Sequence, residues 1–102
     1  DGKQIIPSDW LQDIFHNGDP EAWRHGDFYE TMGSRDIHYR SKWYVKRDVE
    51  PLIFGVGIHG QFLFVDPTKK MSVAWFASRD TPLDGSGFEA TLEIIEKLRA
   101  LI

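Results

Sequence analysis

The chain has 102 residues, which is enough for one domain at most, and its 41% hydrophobic content supports a modest core. A formal net charge of -4 argues against sequence-independent binding to nucleic acid, and the absence of cysteine excludes a disulfide framework and a thiol nucleophile. No apolar run approaches the ~20 residues of a membrane-spanning helix, and no secretory signal opens the chain. We therefore expect no nucleic-acid or membrane partner, and the cysteine-free composition fits the reducing cytoplasm.

Two short helices are predicted near the N-terminus. Pro7-Ser8-Asp9 opens the first, with the serine as N-cap, and Asn17-Gly18 ends it. Its apolar residues fall on one face at helical spacing: Trp10, Leu11, Ile14 and Phe15. Asp19-Pro20 fits the cap and first position of the second helix, which Gly26 limits to little more than two turns. Residues 27–37 show no sustained period, which predicts a loop with room for one helical turn.

A meander of four antiparallel strands is predicted next. Residues 39–46 give one strand by their β-branched and aromatic content, with Tyr39, Trp43 and Val45 on one face. The other face carries Arg40, Lys42, Tyr44 and Lys46. The dense apolar block 51–78 gives three more strands, over residues 52–57, 61–65 and 71–77. The strand over 61–65 is apolar enough to be buried on both faces, and short turns such as that over 66–70 make neighbouring strands antiparallel.

A C-terminal helix is predicted from the capping-box pattern Ser86-Gly87-Phe88-Glu89. Its apolar stripe contains Phe88, Leu92, Ile95, Leu98 and Ile102, widened by Ile94 and Leu101. The fold class is therefore α+β, an antiparallel β meander with a C-terminal helix and short N-terminal helices. One helix covers only one sheet face, and the strand over 71–77 has an unpaired edge. We expect the isolated chain to form a homo-oligomer, with Trp75 and the helix stripe near the interface.

A family resemblance rests on Gly57-Ile58-His59-Gly60-Gln61, the strand after it, Asp66-Pro67 and one further strand. This combination resembles the C-terminal part of the 6-aminohexanoate-dimer hydrolases, which are serine hydrolases of the class C β-lactamase and penicillin-binding-protein family. The stretches IIPSDWLQDI and YRSKWYV are similar as well. The resemblance covers most of this chain but only about the last third of such an enzyme. It implies that residues 1–102 are a single C-terminal fragment of a β-lactamase/transpeptidase-like fold, in agreement with a start at Asp1 rather than Met.

The resemblance also implies roles for individual residues. The strand that carries Lys-Thr-Gly or His-x-Gly in this family matches Gly55-Val56-Gly57, so the Lys and Thr that hold a β-lactam carboxylate are absent here. Linear amides or esters are then the expected small-molecule substrates. By position, the backbone N–H of Ile58 is the oxyanion-hole donor, and Trp43 resembles a substrate-facing tryptophan on the neighbouring strand. Trp43, Gly57, Ile58 and His59 form the expected substrate-binding set.

The nucleophile of such an enzyme is missing from this sequence. None of the six serines is followed three positions later by lysine, and no tyrosine starts a Tyr-x-Asn motif. We therefore expect the chain to be inactive alone and to need the N-terminal portion of a parent enzyme as its partner. The histidines lack metal-ligand spacing, so neither metal nor cofactor is expected. For His59, a structural role in the turn is favoured over direct catalysis. The alternative function is a stand-alone, non-catalytic binding or interaction module.

Overall fold

The computed structural model describes residues 2–102 and contains three helices and five strands. In chain order the elements are α1 (Ser8–His16), α2 (Pro20–Arg24), β1 (Ile37–Arg40), β2 (Trp43–Lys46), β3 (Leu52–Gly57), β4 (Gln61–Asp66), β5 (Met71–Trp75) and α3 (Gly85–Leu101). The strands form one antiparallel sheet in the order β1-β2-β3-β4-β5. The α+β class and the meander are thus confirmed. Within residues 2–102, no helix has the length and hydropathy needed to cross a membrane.

The prediction of a single strand over residues 39–46 is wrong, because this segment is a hairpin of β1 and β2. Ser41 and Lys42 form its two-residue loop with φ angles of 53° and 71°. Positive φ at both positions is the signature of a type I′ turn. Asparagine and glycine usually occupy these positions, so serine and lysine gave no indication of the turn in the sequence. The sheet therefore has five strands rather than four. The hairpin places Tyr39 opposite Tyr44, with ring centroids 4.7 Å apart, and so not on the face of Trp43.

Burial on both faces, predicted for β4, is also wrong. Its side chains alternate, with Phe62 and Phe64 buried while Gln61 and Leu63 are exposed. β5 alternates as expected, but it ends at Trp75, so that Phe76 lies beyond the strand and is 81% exposed. The sheet consequently has one well-covered face and one that is only partly covered.

The well-covered face packs against α3 and the segment before β1. Its buried residues form one aromatic-rich cluster: Trp23, Met32, Ile37, Leu52, Phe54, Phe62, Phe64, Phe88, Leu92 and Ile95. Phe54 and Phe88 make the contact between sheet and helix, with ring centroids 5.7 Å apart. Phe88, Leu92 and Ile95 confirm the inner part of the predicted helix stripe. Leu98, Ile94, Leu101 and Ile102 are exposed, whereas Thr91 and Arg99 are buried on the sheet-facing side.

The partly covered face packs against α1. Ile14, Val45 and Ile53 form its small buried cluster, with Phe15, Trp43 and Val65 packed around them. Of the apolar face predicted for α1, only Ile14 is buried, and Trp10 is largely exposed. α1 lies over β2 and its neighbours, while Leu63 of β4 remains 41% exposed on this face.

Of the three predicted helix N-caps, one is confirmed and two are wrong. Asp19 caps α2 as expected, because its carboxylate accepts from the amides of Glu21 and Ala22. α1 has Pro7 at its N-cap position and no side-chain cap. The capping box predicted at Ser86 is replaced by Asp84, whose carboxylate accepts from the amide of Gly87. Glu89 is not free to reach back, since both of its oxygens pair with Arg35.

Candidate functional site

The connection between β3 and β4 is a tight turn of Ile58, His59 and Gly60, closed by the pairing of Gly57 with Gln61. His59 has φ of 64° and Gly60 has φ of 84°, so both occupy the left-handed region. Glycine adopts this conformation freely, and histidine is one of the few other residues enriched there. A side chain at Gly60 would in addition collide with the Arg79 side chain. The backbone of the turn therefore depends on this local sequence.

Three hydrogen bonds anchor His59 to the loop that follows β5. The His59 amide donates to the Pro82 carbonyl at 3.0 Å, and the Arg79 amide donates to the His59 carbonyl at 2.9 Å. The imidazole Nδ1 lies 2.9 Å from the Arg79 carbonyl oxygen. Because a carbonyl only accepts, Nδ1 must carry the hydrogen of this bond. The turn is thus fixed on both sides of His59, which accords with the structural role favoured for this residue.

The backbone N–H of Ile58, by contrast, is not used by the fold. It takes part in none of the hydrogen bonds formed by loops and turns within residues 2–102. Ile58 itself is 60% exposed, and its carbonyl receives only a long 3.4 Å contact from the Gln61 side-chain amide. An unpaired amide next to an anchored residue is a candidate for a preorganised hydrogen-bond donor.

Trp43 lies beside the glycines of β3. Tyr44 pairs with Phe54, so the register sets Trp43 against Gly55, and a Cβ built on Gly55 would be 3.9 Å from the indole ring. Gly55 and Gly57 share one sheet face because side-chain positions alternate along a strand. The structure thus brings Trp43, Gly55 and Gly57 into one row on the partly covered face. His59 is directed instead at the loop over residues 79–82.

An apolar groove continues from Trp43 toward α1. It has a volume of about 210 Å³ and is lined by Ile6, Trp10, Leu11, Ile14, Trp43, Ile53 and Val65. None of these side chains is charged, so the groove suits a hydrocarbon or aromatic group rather than an ion. Trp43 is shared between the groove and the glycine row, and it is the residue that joins the two features into one candidate site.

Sequence reasoning missed two parts of this site. The residues that anchor His59 lie about twenty positions later in the chain, and nothing in the loop over residues 79–82 indicates a turn-holding role. The groove was missed because Trp10 and Leu11 were assigned only to the apolar face of the first helix. Their helical spacing indicates an apolar face but not how much of it the sheet covers.

Outside this site, no group of three or more His, Asp or Glu side chains in the described part of the chain is arranged to hold a metal ion. His38 of β1 is buried beneath α1, where Nε2 lies 2.7 Å from the Ile14 carbonyl and Nδ1 lies 3.0 Å from the Arg47 guanidinium. The guanidinium can only donate, so Nδ1 accepts and Nε2 donates. His38 therefore ties α1 to the sheet.

Comparison with known proteins leaves the family of the chain open. No protein-family profile matches the sequence, and no solved structure matches the fold. The geometry of the site itself is therefore the basis for a functional proposal.

Proposed function

We propose that this chain is the C-terminal portion of a serine hydrolase that acts on linear amides or esters, with the Ile58 amide as an oxyanion donor. The observation that carries the proposal is the unpaired Ile58 N–H on a turn anchored through His59. The resemblance of the Gly57–Gln61 segment to the 6-aminohexanoate-dimer hydrolases supports the same role. Residues 1–102 would then supply one pocket wall, and an N-terminal portion of the enzyme would supply the nucleophile.

The chemical argument is one of preorganisation. When a nucleophile attacks a carbonyl, negative charge develops on the carbonyl oxygen, and a fixed N–H stabilises that charge without reorganising. Loss of one such donor typically costs ~3–4 kcal/mol, which is about 10²–10³ in kcat. His59 contributes indirectly under this proposal. Its backbone and imidazole hydrogen bonds fix His59 in place, and His59 directly follows Ile58 in the chain.

Linear substrates are favoured by the surroundings of the turn. Gly55 and Gly57 leave the β3 surface without side chains that would contact a charged substrate group. The apolar groove beyond Trp43 offers space for a methylene chain or an alkyl ester. We therefore expect faster turnover of short p-nitrophenyl esters or linear amides than of penicillins.

The test uses the protein encoded by the complete reading frame, once an upstream Ser-x-x-Lys segment has been identified by sequencing. The Ile58 amide is replaced by an ester through incorporation of the corresponding hydroxy acid, which removes the N–H and keeps the side chain. We expect kcat to fall about 10²-fold or more, whereas Ile58→Val should leave kcat nearly unchanged. Unchanged kcat in the ester variant, or nitrocefin turnover faster than ester turnover, would refute the proposal.

Residues 1–102 alone give a second test. Because no serine is followed three positions later by lysine, a fluorophosphonate probe should leave the isolated chain unlabelled. Stoichiometric labelling of any serine would contradict the assignment of the nucleophile to another part of the enzyme.

A non-catalytic binding module is the alternative, and the apolar groove is the observation that favours it. Titration of the isolated chain with a neutral alkyl ester or amide, followed by tryptophan fluorescence, separates the two functions. Saturable binding that Trp43→Ala abolishes, together with absence of an upstream Ser-x-x-Lys segment, would favour the binding module over the hydrolase.

Self-association of the isolated chain is proposed from the open side of the sheet. β5 is an outer strand, Ala74 on it is exposed, and Leu63 and Phe76 add apolar surface nearby. An edge of this kind readily pairs with a second copy. Trp75 instead packs toward the α3 side, so Ala74→Lys is the better probe of the edge. Sedimentation should show a dimer or larger species that Ala74→Lys converts to monomer and Lys97→Ala does not. A monomer at tens of micromolar would refute self-association.

A further inference from the structure

The Arg79 side chain runs between two glycines. A Cβ on Gly60, in the β3–β4 turn, would lie 2.6 Å from Arg79 Cδ, and a Cβ on Gly87, in the first turn of α3, would overlap Arg79 Nη1. Both positions must therefore lack a side chain for Arg79 to follow this path. Gly60 also has positive φ, so it serves the turn and the arginine at once.

The guanidinium group reaches α3 and is held there. Nη2 donates to the Thr91 hydroxyl at 2.8 Å, and that hydroxyl donates in turn to the Gly87 carbonyl at 2.8 Å. The guanidinium carbon lies 5.9 Å from the centroid of the Phe62 ring, within range of a cation–π interaction. Since the Thr91 hydroxyl hydrogen is directed to the Gly87 carbonyl, a lone pair of the hydroxyl oxygen is available to accept from Arg79. The direction of the hydrogen-bond chain is therefore fixed.

The main chain of the same residue is bonded to the turn. The Arg79 amide donates to the His59 carbonyl, and the Arg79 carbonyl accepts from His59 Nδ1. Arg79 thus joins the residue that follows Ile58 to the first turns of α3, through its backbone at one end and its guanidinium at the other.

One amino nitrogen of the guanidinium group, Arg79 Nη1, is buried without a hydrogen-bond partner among residues 2–102. Nη1 and Asp84 Oδ2 both lie no more than 2.9 Å from the position that a Gly87 Cβ would take, yet Arg79 and Asp84 are not among the ion pairs of residues 2–102. The small cavity of about 20 Å³ beside Arg79 and Asp84 is lined mainly by apolar side chains, among them Met32, Phe62 and Phe88. The attachment of Arg79 to α3 therefore rests on the Nη2–Thr91 hydrogen bond, beside the contact with the Phe62 ring.

We propose that Arg79 is the positioning residue of the Ile58 turn, which it holds to α3 through the Thr91 hydroxyl. The proposed function assigns the Ile58 amide to the oxyanion hole. The rigidity of that amide then depends on the contact between Arg79 and α3, which lies outside the proposed pocket wall. This inference rests on the proposed function for its catalytic meaning, but its geometry can be tested without activity.

The experiment compares backbone amide spectra and hydrogen exchange of the ¹⁵N-labelled chain and its variants. Arg79→Met and Thr91→Val should shift the Ile58, His59 and Gly60 signals, and the His59 amide should exchange about tenfold faster or more. Thr91→Ser keeps the hydroxyl and should restore the wild-type signals and exchange rate. The matched control is Arg35→Met, which also removes an arginine bonded to α3, through Glu89, but at a site away from the turn.

Unchanged Ile58–Gly60 signals in both Arg79→Met and Thr91→Val, or equal changes in Arg35→Met, would overturn the positioning role. Thr91→Val retains the arginine, so it remains informative if Arg79→Met fails to fold. Because these readouts need no substrate, they fail independently of the Ile58 ester-substitution experiment.

Discussion

Arg99→Met should be among the most destabilising single changes outside the apolar core. Arg99 Nε donates to Asp66 Oδ2 at 2.7 Å, and the Asp66 carboxylate is fully buried beneath α3. The same guanidinium donates to the Glu50 carbonyl and pairs with Glu96, so it ties α3 to the β2–β3 loop as well. Methionine keeps much of the side-chain volume but leaves Asp66 as a buried charge without its cation.

Removing one partner of a buried pair typically costs ~3–5 kcal/mol, because the remaining charge stays desolvated. A domain of this size has only ~5–15 kcal/mol of stability, so the loss is a large fraction of the total. Each ~1 kcal/mol should lower Tm by about 4–8 °C. Lys97→Met is the matched control on the same helix. Its ion pair with Glu93 is exposed, and the substitution should have too small an effect to measure.

The pH dependence gives the deciding assay. Burial raises the pKa of Asp66, but the Lys69 amide and the Arg99 guanidinium outweigh burial and hold the pKa below its ordinary value. This group therefore contributes stability above the pKa of unfolded Asp, about 3.9, and loses it as the pH falls through the folded pKa. In the Arg99→Met variant, protonation at low pH removes the charge of the buried Asp66 carboxylate. Urea unfolding should show the full loss of unfolding free energy relative to wild type at pH 7, and a smaller loss below a pH of about 4. Equal loss in Arg99→Met and Lys97→Met at pH 7 would refute the reasoning.

Two further substitutions test the core and the start of α3. Phe54→Ala should reduce the unfolding free energy by ~3–5 kcal/mol because the ring is fully buried, whereas Phe76→Ala, at an 81% exposed position, should change it little; similar urea midpoints for the two would contradict the described core. Asp84→Ala should cost ~1 kcal/mol through loss of the helix cap, more than Ser86→Ala, and the reverse order in thermal unfolding would restore the capping box predicted from the sequence.

Short local sequence patterns were sufficient to predict much of the fold. Asp19-Pro20 carries its own cap and first helical residue, and α2 begins there as predicted. The apolar spacing of Phe88, Leu92 and Ile95 placed the inner face of α3 correctly. The β1–β2 hairpin escaped detection because Ser41 and Lys42 adopt positive φ without glycine or asparagine. That conformation is stabilised by pairing of the flanking strands, which is not visible from the two loop residues alone.

The candidate site shows a different limit. Gly57, Ile58 and Trp43 could be singled out from local pattern and resemblance, and the sheet register does set Trp43 beside the β3 glycines. What makes the Ile58 amide a fixed donor, however, is a set of contacts between residues far apart in sequence. His59 depends on the backbone of Arg79, and Arg79 in turn depends on Thr91. Because every link joins a different element, the rigidity of the turn is a property of the assembled sheet and helix. A substitution in α3 can therefore alter the Ile58 turn without touching it.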